Sequence, residues 1–354
     1  MKISDIDFKI LEKFRKGTVI PAMPLALTDE RVFDRPAQEV LTRYYMDAGA
    51  GGIAVGVHST QFAIREHGLF ETVLSCVSDA ADQWGRKTGN AILKVSGACG
   101  KTPQAVAEAE FARKAGYHAA LLSLVAMKDA GISAMIDHCA KVADVMPLVG
   151  FYLQSAVGGP ELPYSFWKEF MKIPNVLGIK IAPFNRYKTF DVVRALCEAG
   201  KENEITLYTG NDDTIVTDLL TEYKIKTDSG YKKVHIKGGL LGHWCVWTQK
   251  AVTLLDEIHA LIDSGRDIPL ELLTRGMEIT DCNAVFFDAA NNFAGCIPGI
   301  HEVLRRQGLL KGIWCLDPHE LLSPDQSDEI TRVYESYPHL NDDDFVKANI
   351  EKWK

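Results

Sequence analysis

The sequence predicts an α/β fold, a (β/α)8 barrel followed by a C-terminal helical extension. Three observations lead there. Short apolar runs alternate with amphipathic stretches, and such alternation implies a parallel sheet covered by helices. There are eight such units before residue 265, and eight units in about 250 residues suit a closed barrel. No G-x-G-x-x-G opens a helix, so an open nucleotide-binding sheet lacks its fingerprint. The division expected is a catalytic barrel over 1–265 and a helical extension over 266–354.

The first strand fits residues 18–23, with Pro21 weakening its end. The helix after it covers 36–47, with Pro36 suited to a first turn. Buried-strand runs follow at 52–56, 91–96 and 119–124, each succeeded by a helical stretch, at 69–83, 102–115 and 132–145. Thr102 can cap the second of these helices and Gly116 can end it. Strands at 147–152, 176–181 and 205–208 alternate with helices at 164–171, 189–199 and 212–223. A strand at 234–241 and a helix at 244–264 complete the eighth unit, and further helices are expected at 271–278, 282–293 and 301–307.

Composition narrows the partners. The 354 residues are 47% hydrophobic and 24% charged, with a net charge of −8. That balance leaves no basic footprint for nucleic acid and no polybasic run for an anionic membrane. The longest apolar runs, such as 119–127, are too short to cross a bilayer, and residues 1–7 contain no apolar signal core. Eight cysteines are scattered with no C-x-x-C pair. In a chain of this size they read as thiols of a reduced compartment, and a cytoplasmic protein is expected.

Barrel active sites lie at the C-terminal ends of the strands. Lys180 stands there between Ile179 and Ile181, in an otherwise apolar run. Burial disfavours the ammonium form and frees the amine as a nucleophile toward a carbonyl. Tyr152 ends the preceding strand, and a phenol there could shuttle protons for such chemistry. Two other readings stay open. A metal-dependent aldolase or hydrolase could draw on His58, Glu66 and His67, or on His235 and His243, although no H-x-H or H-E-x-x-H occurs. A barrel that binds a metabolite without turnover is the other.

The segments Phe151-Tyr152-Leu153-Gln154 and Gly178-Ile179-Lys180, with tyrosine and lysine 28 positions apart, resemble the dihydrodipicolinate synthase/N-acetylneuraminate lyase superfamily of class I aldolases. Weaker likenesses run along the chain at 47–53, 95–97, 210–213, 238–242 and 300–310. The resemblance implies that Lys180 forms a Schiff base with pyruvate or a related 2-oxo acid, without a cofactor, and that Tyr152 moves protons. It implies that the turn Gly56-Val57-His58-Ser59 holds the substrate carboxylate, with His58 assisting as a relay. Gln154, Asn211 and His243 become candidates for further substrate contacts, and a homotetramer built as a dimer of dimers is the implied assembly. The chain departs from the family where Val57 replaces a hydroxyl residue. It also lacks the arginine that follows the tyrosine in lysine-biosynthetic members, and their tyrosine after strand four has no counterpart in 123–127. Neither dihydrodipicolinate synthesis nor sialic acid cleavage is therefore expected.

Overall fold

The computed structural model describes Met1–Lys354. Eight strands form one parallel sheet: β1 (Val19–Pro21), β2 (Gly52–Val55), β3 (Leu93–Ala98), β4 (Ala119–Leu122), β5 (Leu148–Leu153), β6 (Val176–Ala182), β7 (Thr206–Thr209) and, last in the chain, β10 (Gly238–Leu241). Hydrogen bonding runs β1-β10-β7-β6-β5-β4-β3-β2, and an Ala22–Ala54 bridge joins the two ends to close the barrel. The helices between them are α2 (Arg35–Asp47), α3 (Phe70–Thr88), α4 (Thr102–Lys114), α5 (Ile132–Val145), α6 (Tyr164–Phe170), α7 (Arg186–Glu198), α8 (Ile215–Leu220) and α9 (Thr248–Ser264). The (β/α)8 expectation holds.

Alternation along each strand sorts side chains into two buried layers. Ile20, Ala54, Val95, Leu121, Val149 and Leu240 fill the barrel interior. Ile53, Tyr152, Ile179 and Ile181 belong to the larger core between sheet and helices. The layering is disturbed once, between β5 and β6. Leu148 pairs with Val176, but the next pair is Val149 with Gly178. Leu177 is skipped as a bulge, and from there Phe151 lies opposite Lys180 and Tyr152 opposite Ile181.

Three features depart from the expected elements. A helix, α1 (Phe8–Lys16), precedes the barrel, with Asp7 accepting from the Lys9 and Ile10 N–H groups. Its two buried residues, Ile10 and Phe14, join the interior layer and plug the bottom of the barrel. Phe14 stacks on Tyr208 with centroids 4.6 Å apart, and the Tyr208 hydroxyl donates to the Phe14 carbonyl at 2.7 Å. The helix expected over 212–223 ends early, and an antiparallel hairpin of β8 (Glu222–Thr227) and β9 (Gly230–His235) stands outside the barrel. Its period-two pattern buries Tyr223 and Ile225 and exposes Glu222, Lys224 and Lys226, which is strand and not helix chemistry.

The extension is the third departure. It comprises α10 (Leu270–Phe286), α11 (Cys296–Arg306), α12 (Gln326–Ser336) and α13 (Asp343–Trp353). The helices expected over 271–278 and 282–293 are one helix, α10, which ends at Phe286, and Asp288, Asn292 and Phe293 beyond it take positive φ and break the rest. The last helix returns to the barrel: Trp353 donates its indole N–H to Asp47 at 2.7 Å, and Arg43 donates to the Trp353 carbonyl at 2.5 Å. Buried Asp342 accepts from the Tyr44 hydroxyl at 2.8 Å and from the Gln249 N–H at 3.0 Å, tying the extension to α2 and α9. No helix is long and apolar enough to cross a membrane.

The plug generates a stability prediction. Phe14→Ala should lower unfolding free energy by about 3–5 kcal/mol in urea denaturation, since it removes a fully buried ring that the rigid barrel cannot collapse to replace. A loss below about 1 kcal/mol would mean that α1 is not part of the folded unit.

Candidate active site

Lys180 lies on the interior face of β6, 9% exposed, among side chains that are almost all apolar. Its Nζ sits 4.6 Å from the centroid of the Phe151 ring, its neighbour across the strand pair. Gly210, at the end of β7, makes room for it: a Cβ there would lie 2.6 Å from Lys180 Cε. Burial pushes the ammonium down to about 8, with the Asp212 carboxylate holding it partly up. Asp212 is pushed up to about 7 by its own burial, against the opposing pull of the His243 N–H and the Lys180 charge. In each case the charge of the other group opposes the shift that burial causes.

Asp212 is fixed on its loop. The backbone N–H of His243 donates to Asp212 Oδ1 at 2.9 Å, and the Asn283 side chain donates to the Asp212 carbonyl at 2.5 Å. Gly242 lets the Phe287 ring pack close beside this loop: a Cβ there would stand 3.1 Å from the ring.

The turn after β2 is equally rigid. Thr60 Oγ1 accepts from the Gly56 and Val57 N–H groups and donates to the Met23 carbonyl at 2.7 Å. Arg65 and Glu108 form a buried ion pair at 2.9 Å, and Arg65 also donates to the Gly56 carbonyl at 3.1 Å. The one-turn helix His58–Thr60 begins here, and its first N–H groups, on His58 and Ser59, have no acceptor within the turn. His58 is pushed down to about 4, first by burial and then by the Lys180 charge, so its imidazole is neutral at pH 7.

These groups open on one cavity of about 670 Å³, mouth included, at the C-terminal end of the barrel. Val57, His58, Ser59, Gln154 and Lys180 line it, as the sequence predicts. Three expected residues do not. Tyr152 points outward, its ring 5.4 Å from that of Trp167 on α6, because β5 turns Val149, Phe151 and Leu153 inward, and the bulge at Leu177 sets Lys180 opposite Phe151. Phe151 occupies the interior place instead, so Tyr152 has no path for a proton to Lys180. Asn211 is a structural brace, donating to Thr189 Oγ1 and Asp218 Oδ2 and accepting from the Phe184 N–H. The His243 ring packs against Phe286 behind the cavity, and only its backbone N–H serves the site.

Sequence reasoning missed Asp212, although it sits in the loop after strand seven, where an acidic side chain at a barrel strand end was the available signal. It also missed the contribution of the extension, which adds Phe287, Phe293, Cys296 and Ile300 to the lining. No group of three or more His, Cys, Asp or Glu side chains converges as a metal site would require.

No protein-family model and no curated protein matches the chain in sequence. Solved structures do match in shape. Dihydrodipicolinate synthase from Oceanobacillus iheyensis superposes with a TM-score of 0.73 at 15% identity, over 93% of this chain and 99% of that one. A prophage protein of the dihydrodipicolinic acid synthase family from E. coli K12, in complex with pyruvate, gives 0.71 at 16% identity, over 92% and 98%. The chloride-inhibited dihydrodipicolinate synthase from Acinetobacter baumannii, complexed with pyruvate, gives 0.71 at 15%, over 91% and 99%. The chain therefore has the fold of these enzymes, terminal helices included, in a widely diverged sequence.

The electrostatic pairing is testable without a substrate. Asp212→Asn removes the charge that raises the Lys180 pKa, so that pKa should fall below about 8. The check is the pH dependence of Lys180 labelling by an amine-directed reagent, read by peptide mass. An unchanged or higher midpoint would refute the pairing.

Proposed function

We propose that the chain is a divergent member of the dihydrodipicolinate synthase/N-acetylneuraminate lyase superfamily, a Schiff-base lyase or aldolase acting on pyruvate or a related 2-oxo acid. The observation that carries the reading is a buried interior lysine with a depressed pKa, opening on a cavity that Asp212, its carboxyl raised by burial, also lines. The shared fold and the Gly178-Ile179-Lys180 segment add to it.

Neutral Lys180 attacks the C2 carbonyl carbon, and the oxygen takes a proton. Asp212 donates the proton that releases this oxygen as water, leaving a cationic iminium. The Phe151 ring, on which the amine already rests, stabilises that cation. The iminium draws electrons from the C3–C4 bond, or from a C3–H bond, to give an enamine, and Asp212 takes the proton released, from the C4 hydroxyl in the first case and from C3 in the second. Asp212 thus does the work expected of Tyr152. The free N–H groups of His58 and Ser59 receive the 2-oxo acid carboxylate, and neutral His58 hydrogen-bonds to it or relays a proton. Gln154 contacts the remainder of the substrate. The covalent intermediate needs no cofactor. A barrel unit over 1–265 with its extension and a cytoplasmic setting belong to the same reading, and the family resemblance adds a dimer of dimers.

Incubation with pyruvate and a panel of 2-oxo acids under borohydride should add the reduced adduct mass to the peptide that contains Lys180, and Lys180→Ala should abolish it. No adduct with any of them would sink the proposal. Asp212→Asn should slow turnover by about 10²–10⁴-fold, whereas Tyr152→Phe should retain most activity. Equal losses in the two variants would remove Asp212 from the proton-transfer role.

A further inference from the structure

Resting on the Schiff-base reading above, we infer that the carbonyl partner joined to, or released from, the 2-oxo acid is uncharged and apolar, with an aromatic aldehyde as the fitting chemical type. Lys180 and Asp212 are the charged side chains on the cavity wall, and the bond-making steps use both. Ser59, Gln154, Cys296 and neutral His58 supply the remaining polarity. No arginine and no second lysine faces the cavity, so a second carboxylate or a phosphate on the substrate would be buried without a counter-charge. Nor is there a row of donors and acceptors for a polyhydroxylated chain, whose hydroxyls would go unpaired.

Beyond the reacting groups the wall is apolar: Leu153, Val157, Phe184, Phe287, Phe293 and Ile300. Phe184, from the loop after β6, and Phe293, from the extension, meet edge to face with centroids 6.2 Å apart at 78°. Both are partly exposed, so they are not simply core. Both also hold left-handed backbone, with φ of 49° and 67°, which is unfavourable for a bulky residue. A hydrogen bond fastens each turn: the Phe184 N–H donates to Asn211 Oδ1 at 2.9 Å, and the Phe293 N–H donates to the Asp288 carbonyl at 2.9 Å. Two strained turns that converge to put two rings beside a lysine nucleophile are the mark of a built apolar subsite.

In the addition direction the pyruvate enamine carbon attacks the aldehyde carbon, and a C–C bond forms. The carbonyl electron pair moves to oxygen, which takes the proton from Asp212, and hydrolysis of the iminium releases a 4-hydroxy-2-oxo acid. Cleavage runs the same steps backwards. Loss of water from the adduct gives a conjugated 2-oxo-3-enoate, which absorbs in the near ultraviolet.

The test uses the full-length protein with pyruvate and three aldehydes of different chemistry: benzaldehyde, succinic semialdehyde and glyceraldehyde. Borohydride trapping of pyruvate on Lys180 is measured first, because it reports the Schiff-base reading alone. With that adduct present, kcat/KM for benzaldehyde should exceed that for each polar aldehyde by at least about 100-fold. Phe293→Lys should shift the benzaldehyde-to-succinic semialdehyde ratio toward the acid, and Phe184→Lys should do so independently. Adduct formation with equal or better use of a polar aldehyde, or with no turnover of benzaldehyde, overturns the inference and leaves the Schiff-base reading standing. Absence of the adduct overturns both.

Discussion

The amine of Lys180 is held out of water, on the inner face of a closed barrel, by the pairing of β6 with β5. That placement depends on one local irregularity, the bulge at Leu177 that puts Phe151, not Tyr152, opposite the lysine. Desolvation then lowers the amine toward neutrality and makes it nucleophilic, while the same burial raises Asp212. A lysine one position along β6 would face the helices, and neither shift nor cavity would follow.

The surroundings keep this pair intact. A buried charge pair is tolerated only with good geometry and further hydrogen bonds. The His243 N–H and the Asn283 side chain hold Asp212 from two elements, one in the barrel and one in the extension. Gly210 leaves space where a side chain would displace the lysine stem, and Gly242 leaves space for the Phe287 ring. On the opposite side, the Thr60 hydroxyl and the Arg65–Glu108 pair lock the turn that carries His58 and Ser59. The acid–base pair and the anion-receiving turn thus sit on separate rigid supports facing one cavity, as precise positioning requires.

The extension is part of the site and not a decoration of the barrel. Buried Gln326 on α12 donates to the Val285 and Gly295 carbonyls and accepts from the Ser323 N–H. Asp288 accepts from Gly295 and Ser323. This network bends the chain between α10 and α11 so that Phe287 and Phe293 reach the cavity. Interactions more than thirty residues apart in sequence determine which side chains close the site.

Local pattern by itself determined the alternating strands and helices, the barrel, and Lys180 as an odd charge at an apolar strand end. Those features depend on hydrophobic period and on residues within one element, and both survive in a single sequence. The α1 plug and the hairpin were harder to see: α1 carries only two buried apolar residues, and the hairpin lies between two segments that read as continuous elements. The partner of Lys180 was beyond reach. A separation of 28 positions pairs Leu148 with Val176 and would pair Tyr152 with Lys180, but one bulged residue in β6 changes the offset, so that Lys180 faces inward with Phe151 while Tyr152 faces the helices. Side chains alternate with a period of two, so a one-residue slip reverses every face, and only the folded sheet records where the slip occurs. The tertiary structure alone therefore decided that Asp212 and Phe151, and not Tyr152, share the interior with Lys180, and that aromatic rings from the extension close the cavity around them.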